Sequence, residues 1–109
     1  MTVSGCVVAL FACAVSVTST HLPAAGQQAA QSQSAGLAVY DRVCHVCHGP
    51  EGRGDAAPRL VPFKRSYEEL LAIVRDGVGQ MPPISDRRVK DEEIAQVVEY
   101  LKSRASPKP

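Results

Sequence analysis

Cys44-His45-Val46-Cys47-His48 is the stretch whose reading decides the fold. On a helix, positions three apart share one face, so the two sulfurs project together. The histidine beside the second cysteine adds an imidazole to the same small patch. Gly49-Pro50 follows at once, and proline cannot continue a helix. The two thiols and the imidazole therefore sit at a helix end, where one large planar group can be gripped along its edge and met from below.

Three chemistries use paired cysteines, and they make different demands. A zinc site needs four ligands, usually from two such pairs, and the chain beyond its first 26 residues has no second pair. A thioredoxin-like redox pair needs a βαβ framework, and no alternating run marks a strand. A plain disulfide leaves the histidine unexplained. The remaining reading is C-x-x-C-H as the haem c attachment pattern. Cys44 and Cys47 would form thioethers to the two vinyl groups of one porphyrin, and His48 would supply an imidazole to its iron.

Working outward, three helices follow from periodicity. Ser34 is a good N-cap, and Gly36, Tyr40, Val43 and Cys47 recur at helical spacing, predicting a first helix over residues 35–47. Ser66-Tyr67-Glu68-Glu69 is a capping box. Tyr67, Leu70, Leu71 and Val74 then form one face, ended by Gly77. Asp91-Glu92-Glu93 places acids at a third helix start, where the dipole favours them, and Ile94, Val97, Val98 and Leu101 complete its stripe. Residues 49–61 and 78–89 are turn-rich loops. Such loops need something to fold around. The fold class expected is all-α, three main helices with two long loops.

Composition agrees. The chain has 109 residues and a net charge of +1, which argues against nucleic acid as a partner. It has no Trp, and its charged part is near the size at which a domain needs a metal, disulfide or cofactor to complete its centre.

All charged residues lie beyond Ser34. Residues 6–17 are an unbroken run of apolar and small residues, the length of a secretory hydrophobic region rather than a full membrane span. Ala24-Ala25-Gly26 offers a cleavage point. The expectation is a signal peptide or N-terminal anchor over 1–26, a flexible linker over 27–34, one domain over 35–104 and a disordered tail over 105–109. Leu10-Phe11-Ala12-Cys13 is a poor lipoprotein box. The location expected is periplasmic or otherwise extracytoplasmic, with membrane attachment only if the leader stays uncleaved.

The second iron ligand follows by elimination. His45 is trapped between the cysteines, while His21 and Met1 lie in the leader. Met81 remains, in Gly79-Gln80-Met81-Pro82-Pro83, where the prolines stiffen the loop. The alternative is that Met81 only packs against the ring, leaving the iron open or bound by lysine.

Over residues 35–104 the chain resembles the small single-haem class I cytochromes c of bacteria. The resemblance rests on C-x-x-C-H, Gly49 and Gly54 in a polar loop, Ala57-Pro58-Arg59-Leu60, the Gly-x-Met-Pro loop and a closing helix with an aromatic. It implies the class I cytochrome c fold around one covalent haem c. It implies that the Pro58 carbonyl accepts the proton on the outer nitrogen of His48. It implies that Gly36 and Tyr40 on the first helix face Val97 and Tyr100 on the last. Leu60, Phe63 and Leu71 are candidate pocket walls, and charge alone makes Arg59, Lys64 and Arg65 candidates for the haem propionates.

The function implied is electron transfer without catalysis, with a His48/Met81 pair saturating the iron. The expected partners are redox proteins: a respiratory complex, an oxidase or a dehydrogenase. Two other readings share the motif, a haem c subunit of a larger oxidoreductase and a haem enzyme or gas sensor with a dissociable Met81.

Overall fold

The computed structural model describes residues 24–104. The apolar leader run and the 105–109 tail lie outside the described residues. The first long helix, α1 (Ala25–Val43), ends at Cys44 and is followed by a single turn, α2 (His45–His48). After a short 3-10 turn (Pro50–Gly52) come α3 (Tyr67–Asp76) and α4 (Asp91–Ser103). The described residues hold no β-strand, only one isolated bridge between Val78 and Met81. The chain is all-α, as its periodicity predicts.

Two boundaries differ from the sequence reading. Residues 27–34, expected as a flexible linker, are part of α1. Gln and Ala are strong helix formers, and after Gly26 nothing in this stretch breaks a helix. The start is secured by Gln27, whose Oε1 accepts from the Ala24 N–H at 3.2 Å. Ser34 is consequently not a cap. Its hydroxyl donates to the Gln31 carbonyl inside the helix. The helix also does not run unbroken to Cys47, because it is interrupted by a turn at Cys44, the first residue of the attachment motif.

The other two helices begin as their sequence dictates. At α3 the Ser66 hydroxyl accepts from the Glu69 N–H while the Glu69 carboxylate accepts from the Ser66 N–H. At α4 the Glu93 carboxylate accepts from the Lys90 N–H.

The core forms where α1 crosses α4. A Cβ on Gly36 would stand 2.1 Å from the Gln96 carbonyl oxygen and 2.7 Å from the Tyr100 Cβ, so only glycine lets the helices meet this closely. One turn on, the fully buried rings of Tyr40 and Tyr100 contact each other at 5.5 Å between centroids, tilted by 45°. Val39, Val43, Val97, Val98 and Leu101 fill in around them, and Leu70 and Val74 attach α3 to the same core. Each such side chain contributes about 1.5–3 kcal/mol by leaving water.

Candidate functional site

The site is built on the chain reversal after α2. Gly49 carries a φ of +72°, and a Cβ there would strike the Gly54 carbonyl at 2.7 Å, so glycine is required. The buried Tyr40 hydroxyl donates to the Gly49 carbonyl at 2.7 Å, fixing the reversal to α1. The loop then folds back along α2. The Gly54 N–H donates to the His48 carbonyl at 2.8 Å, and the Ala57 N–H to the Cys47 carbonyl at 2.7 Å. These bonds bring the Pro58 carbonyl to 2.8 Å from Nδ1 of His48.

A carbonyl only accepts, so Nδ1 carries the proton and donates. In the neutral ring Nε2 then keeps a free lone pair, the tautomer a metal-binding imidazole requires.

Met81 comes from the other long loop. The backbones of Val78 and Met81 exchange two hydrogen bonds, Val78 N–H to Met81 carbonyl at 3.0 Å and Met81 N–H to Val78 carbonyl at 2.9 Å. Gly77 at +74° lies beneath this turn, where a Cβ would meet the Met81 carbonyl at 2.6 Å and the Pro83 ring at 2.9 Å. Met81 itself is half-buried and packs against the core.

Cys44, Cys47, His48, Pro58 and Met81, five residues from two separate loops and a helix end, all lie on the wall of one cavity of about 1310 Å³. That exceeds the ordinary range of small-molecule pockets. The apolar lining comes from α1, α3 and α4, including Val43, Leu70, Val74, Val97 and Leu101, with Phe63 from the loop. Of the anticipated walls, Leu60 and Phe63 line it. Leu71 does not: it packs partly buried against the core, and Leu70, Ile73 and Val74 present the lining face of α3. Arg59, Lys64 and Arg65 reach the cavity wall, joined by Arg88, which the sequence did not single out. His45 stands outside it, exposed, with Nδ1 3.1 Å from the Asp41 carboxylate.

Residues 31–101 match the family model described as cytochrome c oxidase, cbb3-type, subunit III. The chain belongs to the cytochrome c family. The cytochrome is 42% identical over 88 residues to the 4-cresol dehydrogenase [hydroxylating] cytochrome c subunit of Pseudomonas putida, covering 79% of this chain and 75% of that one. It is 33% identical over 70 residues to a cytochrome c-553-like protein of Synechocystis sp., covering 62% of this chain and 65% of the relative. Cytochrome c-551 of Bacillus subtilis is 28% identical over 81 residues, 72% of this chain and 70% of its own. No solved structure matches significantly.

The cytochrome therefore carries haem c, and the residues present suit it. Two thiols three positions apart, an imidazole with a free Nε2 and a thioether share one large, mainly apolar cavity. Haem c supplies a one-electron ferric/ferrous couple, so the cytochrome transfers electrons. Burial pushes the Cys44 thiol up to about 11. No helix among the described residues is long and apolar enough to cross a membrane.

Proposed function

We propose that the cytochrome is an extracytoplasmic electron carrier, not itself an enzyme, whose haem iron is held between His48 and Met81 and whose porphyrin is tethered by Cys44 and Cys47. The observation that carries this reading is the 2.8 Å bond from His48 Nδ1 to Pro58, on a cavity that Met81 also lines. Pro58 orients the imidazole and raises its basicity, which strengthens the ligand. The turn from Val78 to Met81 holds the thioether side, and a His/Met pair favours the ferrous state, giving a relatively positive potential. With His48 and Met81 both bound, the iron would offer peroxide and oxygen no open site.

Export rests on the uncharged residues 6–17 and the small residues at Ala24-Ala25-Gly26. Permanent attachment suits a compartment where lost haem is not replaced.

The electron donor proposed is a dehydrogenase, and the terminal acceptor an oxidase or respiratory complex. The likeness to a dehydrogenase's cytochrome c subunit supports association with a substrate-oxidising partner of that kind. It also favours a second reading, a resident subunit rather than a free carrier. A resident subunit copurifies in fixed ratio with a larger chain, whereas a carrier elutes alone.

The test is the intact mass of protein matured with haem-attachment machinery in an oxidising compartment. The expected mass exceeds the polypeptide by one haem, and the haem resists extraction into acidic organic solvent. Replacing both Cys44 and Cys47 with Ser should make the haem extractable. Freely extractable haem in the unaltered protein contradicts the tether.

A further inference from the structure

Arg75 stands in the last turn of α3 and its side chain is 23% exposed. Its Nη1 donates to the Ile84 carbonyl at 2.9 Å, and its Nη2 to the Val89 carbonyl at 2.9 Å. The same Nη2 pairs with the carboxylate of Asp91, the first residue of α4. The Ile84 N–H in turn donates to the Val74 carbonyl at 2.7 Å. One cation thus gathers both ends of residues 84–91 onto the end of α3. Among the described residues, no other side chain donates to a carbonyl of the 78–90 loop.

Met81 is linked to Ile84 only through Pro82 and Pro83. Each proline fixes its own φ, so the link has little slack, and the position of Ile84 is passed to the Met81 backbone. The upstream limb is already pinned by the Val78–Met81 turn over Gly77. Without Arg75 the downstream limb keeps a single backbone bond to α3.

An exposed ion pair alone contributes little. Arg75 differs because two of its three partners are carbonyls of a loop without regular structure, and the planar guanidinium serves all three at once. A lysine is a point donor and cannot.

We infer that Arg75 is a positioning residue for Met81, a clamp that sets how firmly the thioether is held at the iron. The inference rests on the reading of Met81 as axial ligand. It assigns to Arg75 no contact with the haem.

The test uses the haem-loaded ferric protein and the rate at which added imidazole displaces the sixth ligand, together with the weak long-wavelength sulfur-to-iron band. Measurements are made well below each variant's melting temperature. Arg75→Met should take up imidazole at least about tenfold faster than the unaltered protein, as loss of charge-assisted hydrogen bonds implies, with a weakened band. Arg75→Lys should fall between the two. Arg42→Met is the control. It loses the 2.8 Å ion pair to Glu93, between α1 and α4, and should take up imidazole at the unaltered rate. An unaltered rate in Arg75→Met overturns the inference. If that variant does not fold, an unaltered rate in Arg75→Lys overturns it equally. If the unaltered protein already binds imidazole as fast as Met81→Ala, the axial reading fails and takes the clamp with it. A slow unaltered protein with an indifferent Arg75 series removes the clamp alone.

Discussion

The carbonyl of Pro58 lies 2.8 Å from Nδ1 of His48 and accepts that nitrogen's proton, leaving Nε2 for the proposed ligation. The bond belongs to the backbone and not to the proline ring. Pro58→Ala should therefore keep the visible spectrum and nearly the same potential, and lower stability by about 0.4–1 kcal/mol through a freer unfolded chain. Potentiometry beside denaturant unfolding checks both halves. A large drop in potential would show that the ring, not the carbonyl, orients His48.

The helix crossing makes a second prediction. With Gln96 and Tyr100 already within 2.1 and 2.7 Å of an added Cβ, Gly36→Val should overpack α1 against α4 and cost roughly 1–3 kcal/mol. The unfolding midpoint should fall with an unchanged denaturant slope. An unmoved midpoint would mean the helices do not meet there.

Tyr40 links that crossing to the site through its bond to Gly49. Burial pushes its phenol up to about 12 from 10.0. The folded protein holds this proton more tightly than the unfolded chain. The resulting stability is complete below pH 10 and drains as pH climbs through about 12. Tyr40→Phe should be less stable at neutral pH by about 1 kcal/mol, having lost a buried hydrogen bond. It should also lose stability less steeply above pH 10 than the unaltered protein. Parallel stability curves for the two would contradict this.

Much of this was legible in the sequence, and the exceptions have physical reasons. C-x-x-C-H, the capping box at Ser66 and the stripes of α3 and α4 are local patterns, and each appears where expected. Residues 27–34 misled because polar, repetitive composition suggests a linker, whereas Ala and Gln propagate a helix that tertiary packing starts at Gly36. Leu71 and Leu70 are neighbours on the same stripe, and which one faces the cavity depends on the rotation of α3 against α4, a tertiary quantity. Arg75 carried no local signal. Its partners Ile84, Val89 and Asp91 lie far along the chain, and only the folded loop brings them to one guanidinium.

Gly77 gives a fourth prediction. Its positive φ and the Met81 carbonyl against it leave no room for a side chain. Gly77→Ala should shift the Met81 turn, weaken the sulfur-to-iron band and speed imidazole binding, with haem still covalently attached. Circular dichroism should report the helices intact while the band is lost. An undiminished band would show that the turn yields without moving the sulfur.

The most direct test of the central claim is the reduction potential and ferric long-wavelength spectrum of the haem-loaded protein beside Met81→Ala. The thioether is what favours ferrous iron. The unaltered protein should show a sulfur-to-iron band. The variant should lose that band, have a lower potential and bind cyanide readily. A Met81→Ala protein with the unaltered band and potential would remove Met81 from the iron and contradict the account.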